Sequence, residues 1–217
     1  EFCNLSEIVV RREDTRESLK EKVRSATILG TFQSTLTEFK YLSKEWKRNC
    51  DEERLLGVSL TGIMDNPITN GTRNGLKELL EELRDVAYET NKEWSDKLGI
   101  PTSAAITCVK PSGTVSQLVD SASGIHARHS PFYIRTVRAD TKDPLCKLMQ
   151  DMGFPNEADV TKPDHTTVFS FPMKTPKGAV CRMDMTALEQ LELWKTYATS
   201  WCEHKPSVTI SVKEDEW

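Results

Sequence analysis

Three short apolar runs, separated by segments long enough to form helices, constrain the fold of this sequence most. They lie at residues 5–10, 55–63 and 103–109, and charged residues, glycines or a proline bound them. Apolar runs of this length are typical of strands buried on both faces, as in a parallel sheet covered by helices. Connections of about thirty residues or more leave room for a crossover helix. The sequence therefore predicts an α/β fold.

The clearest helix is predicted over residues 74–98. Its leucines and small apolar residues form one stripe at helical spacing, and charged residues cover the rest, which indicates a solvated face rather than a binding surface. Gly99 ends this helix. An earlier helix is predicted to begin after an N-cap at Asp14 and to continue to about residue 39, with a break near Gly30.

The second half of the sequence predicts further strands and two helices. A helix begins at Asp143-Pro144 and ends at Gly153, and a capping box of Thr186 and Glu189 begins the last helix. Strands are predicted at 132–137, at 167–171 paired with 179–183 in a hairpin, and at 207–212. We expect the strands at 5–10, 57–63, 103–109 and 207–212 to be neighbours in one largely parallel sheet.

Composition excludes several classes of protein. The 217 residues are 37% hydrophobic and 29% charged, which is typical of a globular chain and not of a disordered one. The net charge of −4 argues against a dedicated nucleic-acid-binding protein, which usually has a concentrated basic excess. No apolar run reaches the roughly 18 residues that a membrane span needs, and no signal-peptide pattern is present. These features predict a soluble, cytoplasmic protein with no membrane partner.

The cysteines and histidines do not predict a metal site. The six cysteines are scattered without a Cys-x-x-Cys pair, which argues against a zinc ribbon or a thioredoxin-type motif and favours buried structural residues. His126 and His129 are three residues apart, but no third ligand lies at a familiar spacing. We therefore predict that no metal is bound.

The strongest local signal for chemistry is the strand at 103–109, which leads directly into a Pro-Ser-Gly-Thr turn at 111–114. A small, hydroxyl-bearing turn that opens a helix directs unpaired backbone N–H groups toward an anion, and glycine leaves the approach free. No lysine follows at Walker A spacing, and an ordinary capped helix start remains the alternative. The predicted phosphate-binding residues are Ser112, Gly113, Thr114 and Val115.

Four motifs occur in one order along the chain: Phe-Cys-Asn-Leu-Ser-Glu, Pro-Ser-Gly-Thr-Val-Ser-Gln, Ser-Gly-Ile-His-Ala-Arg and Cys-Glu-His-Lys-Pro-Ser-Val-Thr, at 2–7, 111–117, 123–128 and 202–209. Together they resemble the catalytic barrel of ribonucleotide reductases. The resemblance is strongest to the adenosylcobalamin-dependent (class II) ribonucleoside-triphosphate reductases, and it covers nearly the whole chain.

This resemblance implies a ten-stranded α/β barrel, of which residues 1–217 would form roughly the second half, as part of a longer chain. It implies reduction of ribonucleotides to deoxyribonucleotides by thiyl-radical chemistry, with electrons from a cysteine pair. Cys3 matches one reducing cysteine, and the turn matches the substrate phosphate site. The radical cysteine and the catalytic glutamate would precede Glu1, and the C-terminal cysteine pair would follow Trp217. We therefore expect the piece to be inactive alone.

The same resemblance implies a set of cofactors and partners. These are adenosylcobalamin, bound mainly by other parts of the full-length enzyme, a ribonucleoside triphosphate, thioredoxin or a similar dithiol, and a deoxynucleotide effector. Cys108 ends the strand before the turn and is the nearest competitor of Cys3, but we interpret it as a core residue. Two other functions remain open: a non-catalytic nucleotide-binding domain, and the barrel of a metal-radical (class I) ribonucleotide reductase.

Overall fold

The computed structural model describes residues 2–217, whose contacts divide them into two compact units. The first unit runs up to Arg128 and resumes at Lys177–Trp217, and the second unit is His129–Pro176. The helices are α1 (Arg16–Gln33), α2 (Lys44–Glu53), α3 (Leu76–Leu98), α4 (Thr114–Leu118), α5 (Pro144–Asp151) and α6 (Ala187–Ser200). The strands are β1 (Asn4–Val9), β2 (Leu56–Thr61), β3 (Thr107–Cys108), β4 (Phe132–Asp140), β5 (Asn156–Ala158) and β6 (Thr166–Lys174). Two 3-10 helices lie at Ile63–Asp65 and Glu214–Glu216.

A parallel sheet in the order β1-β2-β3 forms the centre of the first unit. Every residue of β2 is buried, because β2 is the middle strand and its neighbours cover both edges. Helices α1 and α3 pack on each other, and α1 also packs on β1 and β2. The α/β class and the neighbouring placement of the first three predicted strands are thus confirmed.

Helix α1 differs from its prediction at both ends. Its N-cap is Thr15, whose side chain accepts the backbone N–H of Ser18, whereas Asp14 accepts the N–H of Arg11. The helix also runs through Gly30 without a break and ends at Gln33. Gly30 is buried against Leu56, so packing on the sheet outweighs the low helix propensity of glycine. Helix α2, which the sequence pattern did not predict, follows.

Two predicted strands of this unit are shorter than expected or absent. The run at 103–109 forms only the two residues of β3, because the carboxylate of Glu203 accepts the backbone N–H groups of Ile106 and Thr107 at the outer edge. The segment 207–212 forms no strand. Side chains of α6 hold this region instead: Gln190 bonds both backbone groups of Ser211.

The second unit is an antiparallel sheet in the order β4-β6-β5, with α5 in the same unit. Asp143 caps α5 by accepting the N–H of Leu145 at 2.8 Å, as predicted. The predicted hairpin between 167–171 and 179–183 is wrong, because β6 pairs along its whole length with β4. Within the first unit, Cys181 instead forms an isolated parallel bridge with Arg128. No helix among residues 2–217 combines the length and apolarity needed to cross a membrane.

Candidate functional site

Two cysteine sulfurs approach each other over Gly57 on one face of the parallel sheet. A Cβ atom at Gly57 would lie 2.9 Å from Sγ of Cys3 and 3.3 Å from Sγ of Cys108, and it would also collide with the side chain of Leu5. Real Cβ atoms essentially never lie within 3.0 Å of another atom, so a larger residue at this position would have to displace the side chains of Leu5 and Cys3. Cys3 is an exposed residue that precedes β1, Cys108 is buried, and both are free thiols.

Desolvation of the sulfur atoms, which is partial at the exposed residue Cys3, favours the protonated form of both thiols. It raises the pKa of Cys3, and it raises the pKa of Cys108 to about 12. The ammonium group of Lys110 opposes this effect at both thiols. A third thiol, Cys202, is also buried, and its burial and the neighbouring Cys108 raise its pKa to about 12.

A carboxyl group shares this face of the sheet. The hydroxyl of Ser59 donates to Oε1 of Glu7 at 3.2 Å, and its oxygen accepts the backbone N–H of Lys110 at 3.0 Å. Burial raises the pKa of Glu7 to about 7, even though the Ser59 hydrogen bond lowers it. Sequence reasoning missed Glu7, although a glutamate inside an otherwise apolar strand was a signal for it.

The predicted phosphate turn forms, and hydrogen bonds hold its first residues. Ser112 is buried: its hydroxyl accepts the backbone N–H of Ser116 at 3.2 Å, and its carbonyl accepts the Ser123 hydroxyl at 2.6 Å. Within residues 2–217, no protein acceptor takes the backbone N–H groups of Gly113, Thr114 and Val115. A Cβ atom at Gly113 would meet no atom within 4 Å. These N–H groups are therefore available to an anion.

One cavity of about 400 Å³ joins the thiols to the beginning of the turn. It is lined by residues 204–207 together with Cys3, Leu5, Cys108, Val109, Lys110 and Pro111. The predicted phosphate-binding residues 112–115 are not part of this lining and follow it directly in the chain. Cys3 thus lies on the same side as the start of the turn, while the side-chain amide of its neighbour Asn4 donates to the carbonyl of Leu55.

The Ser-Gly-Ile-His-Ala-Arg motif serves a structural purpose in the first unit. Arg128 is buried and forms two hydrogen bonds with Asp65, at 2.9 and 2.8 Å, and a third with Asp120 at 3.1 Å. Asp65 also accepts the N–H of Ala122. Nδ1 of His126 lies 2.9 Å from the carbonyl of Ser123. Such a buried bidentate pair fixes the loop that follows the turn.

His129, the second histidine of the pair considered as metal ligands, also makes a structural contact. In the second unit, the ring of His129 packs against Tyr133 at 5.8 Å between centroids. Across the described residues, no group of three or more His, Cys, Asp or Glu side chains is arranged to hold a metal ion.

The sequence was compared with protein families and with curated proteins. No family model matches the chain. An adenosylcobalamin-dependent ribonucleoside-triphosphate reductase of Euglena gracilis is 30% identical over 214 residues, which are 97% of this chain and 28% of that protein. The enzyme of the same name from Lactobacillus gasseri is 26% identical and covers 100% of this chain and 32% of the relative. A probable enzyme of this kind from Dictyostelium discoideum is 27% identical and covers 97% and 27%.

A solved structure supports the same relationship at the level of the fold. The crystal structure of a B12-dependent (class II) ribonucleotide reductase matches with a TM-score of 0.76 and 23% identity, over 96% of this chain and 32% of that one. The chain therefore spans less than a third of the length of these proteins. Over nearly its whole length, the chain is homologous to part of the adenosylcobalamin-dependent ribonucleoside-triphosphate reductases.

Proposed function

We propose that residues 1–217 are the second half of a ten-stranded α/β catalytic barrel in a longer ribonucleoside-triphosphate reductase. The observation that carries this proposal is the cavity that Cys3 shares with the start of the Pro-Ser-Gly-Thr turn. A reducing thiol and a phosphate-binding turn must reach opposite ends of one nucleotide, so they need a common cavity. The parallel sheet β1-β2-β3, with α1 packed on it and α3 packed on α1, is compatible with half of such a barrel.

In the proposed reaction, Cys3 is one of two reducing thiols, and its partner and the radical cysteine belong to other parts of the enzyme. The two thiols are oxidised to a disulfide as the 2′-hydroxyl leaves the ribose as water. The raised pKa of Cys3 supports this role, because a thiol that stays protonated at neutral pH can supply hydrogen to the leaving group. The chain alone is inactive in this scheme.

The turn binds the substrate phosphates in the proposed complex. Four residues form this site: Ser112, Gly113, Thr114 and Val115. The free N–H groups of the last three and the open space above Gly113 support the assignment. Because helix α4 has only five residues, the individual N–H donors rather than a large helix dipole supply the attraction.

The remaining partners follow from the proposed family role. They are a ribonucleoside triphosphate, thioredoxin or a similar dithiol, a deoxynucleotide effector and adenosylcobalamin, in a cytoplasmic enzyme of deoxyribonucleotide synthesis. Adenosylcobalamin supplies the radical when it is bound. The cavity beside Cys3, at about 400 Å³, is too small for a corrin ring. We therefore assign cofactor binding mainly to other parts of the enzyme.

Replacing Cys3 in the full-length enzyme tests the proposal. We expect Cys3→Ser to abolish steady-state turnover with an external dithiol, because the serine hydroxyl cannot form the disulfide. Radical formation from adenosylcobalamin, followed by electron paramagnetic resonance, should persist because it uses another cysteine. Cys50→Ser is the matched control, since Cys50 is a free cysteine on α2, and it should retain turnover. Normal turnover by Cys3→Ser would refute the assignment and leave nucleotide binding as the function of the turn.

A further inference from the structure

Lys110 lies between the two parts of the proposed site. It follows β3 and directly precedes the turn at 111–114. Its backbone N–H donates to the hydroxyl of the buried Ser59, which anchors this residue to the middle strand. Lys110 is an exposed residue that lines the same cavity as Cys3 and Cys108.

The charged and titratable groups around Cys3 come from three parts of the first unit. Cys108 and Lys110 belong to β3 and the residues after it, and His204 and Lys205 belong to the segment after α6. Glu7, on β1, acts electrostatically on the neighbouring Cys108. Lys110 is the cation that lowers the pKa of Cys3 against the effect of burial. Within residues 2–217, no carboxylate forms an ion pair with this ammonium group, which is therefore available to an anionic ligand.

We propose that Lys110 is a positioning residue that favours the thiolate form of Cys3 in the empty cavity, and that a bound polyphosphate withdraws this effect by pairing with the ammonium group. The inference rests on the function proposed above and adds control of the reducing thiol by the substrate. The turn proposed to bind polyphosphate begins directly after Lys110 in the chain. Thiolate and phosphate would therefore compete for the positive charge of the Lys110 ammonium group.

This competition matches what each stage of the reaction needs. With substrate bound, Cys3 stays a thiol and can supply hydrogen. After product leaves, a thiolate of the external dithiol attacks the partner sulfur of the Cys3 disulfide. The S–S bond breaks, and its electron pair leaves on Sγ of Cys3 as a thiolate beside Lys110. The second thiol of the dithiol then closes its own disulfide and releases the partner cysteine, so the dithiol is oxidised and both site thiols are restored. A stabilised leaving thiolate accelerates such exchange.

Alkylation of Cys3 by iodoacetamide in the reduced full-length enzyme measures its thiolate fraction. The modified Cys3 peptide is quantified by mass spectrometry over a range of pH, so the other cysteines do not contribute. We expect Lys110→Met to slow alkylation about threefold to tenfold at pH values below the thiol pKa, because the thiolate loses its neighbouring charge. Lys110→Arg should restore the rate. Lys205→Met removes another cation of the same cavity and should leave the rate unchanged.

Inorganic tripolyphosphate tests the second half of the proposal. It should slow alkylation of the unmodified enzyme to a similar extent, and it should have no further effect on Lys110→Met, while sodium sulfate at equal ionic strength controls for screening. An unchanged pH profile in Lys110→Met would overturn the role of Lys110, provided that circular dichroism shows an intact fold. Equal slowing of both proteins by tripolyphosphate would overturn the competition. Alkylation requires no turnover, so failure of the reductase assignment would appear separately, as normal turnover by Cys3→Ser.

Discussion

Gly57 owes its importance to the side chain that it lacks. The sulfurs of Cys3 and Cys108 lie 2.9 and 3.3 Å from the position that a Cβ atom would take on this residue of the middle strand. Glycine usually weakens a strand, because it loses more conformational freedom on folding and offers nothing to pack. At this position the side chains of Leu5, Cys3 and Cys108 fill the space instead. Cys3 precedes β1 and Cys108 lies on β3, so the two thiols come from the two sides of β2.

Gly57→Ala should therefore harm both the fold and the site. The added methyl group collides with Leu5 and presses on Cys3, and overpacking of this kind costs about 1–3 kcal/mol. We expect a lower free energy of unfolding in urea and, in the full-length enzyme, a larger loss of kcat than of substrate affinity. Gly75→Ala is the control for an added methyl group, because nothing lies within 4 Å of its Cβ position, although its positive φ adds backbone strain. Equal stability of Gly57→Ala and the unmodified protein would contradict the packing argument.

Among the candidate site residues, sequence reasoning proposed those that stand in a motif and missed Glu7, whose environment depends on strand register. Cys3 was proposed because its motif resembles that of a known family, and the turn because a strand leads into small, hydroxyl-bearing residues that open a helix. The approach of Cys108 to Gly57 and the hydrogen bond from Ser59 to Glu7 both cross from one strand to another. A one-residue change in register would turn those side chains to the opposite face, and no single segment of sequence fixes the register.

At the scale of elements, the long amphipathic helix α3 and the first parallel strands were predictable. Helix α2 was not, and neither was the loss of strands whose backbone groups bond to side chains. The segment 207–212 has an alternating pattern, but Gln190 and Trp194 of α6 bond its backbone or that of its neighbour Pro206. Glu203 likewise occupies the edge where β3 would have met another strand. Side chains from other segments of the chain decide these cases, and local propensity does not contain that information.

In the turn that leads into α4, a substitution can change substrate binding without changing the stability of the fold. Because the space around Gly113 is open and its φ of −71° suits any residue, Gly113→Leu should leave the melting temperature nearly unchanged. A bulky side chain would cover the N–H groups, so substrate binding to the full-length enzyme should weaken by about 2–3 kcal/mol, as measured by calorimetry. Unchanged affinity in a stable variant would show that phosphate binds elsewhere.

At the scale of the whole molecule, Glu7 makes stability depend on pH. The pKa of Glu7 is about 7 in the folded state, and its ordinary value, taken for the unfolded chain, is 4.5. Between pH 4.5 and pH 7 the folded chain therefore holds a proton that the unfolded chain has lost. Stability must then fall as pH rises from about 4.5 to about 7. We expect Glu7→Gln to remove this decline, so that the variant gains stability over the unmodified protein at pH 8 but not at pH 4. Urea unfolding at both pH values measures it, and parallel pH profiles of the two proteins would exclude Glu7 as the cause.

The parallel sheet also governs how the chain reaches its native state. Asn4 pairs with Leu56, and Val58 pairs with Thr107, so each neighbour of β2 is delivered by a separate long loop. Closing both loops costs chain entropy before the hydrogen bonds between the strands can form, whereas α1 and α3 need only local contacts. During synthesis β1 therefore waits, with an unpaired edge, until β2 has emerged. The residues of β2, all of which are buried in the native sheet, are exposed to association with other chains in that interval, which makes refolding yield sensitive to protein concentration.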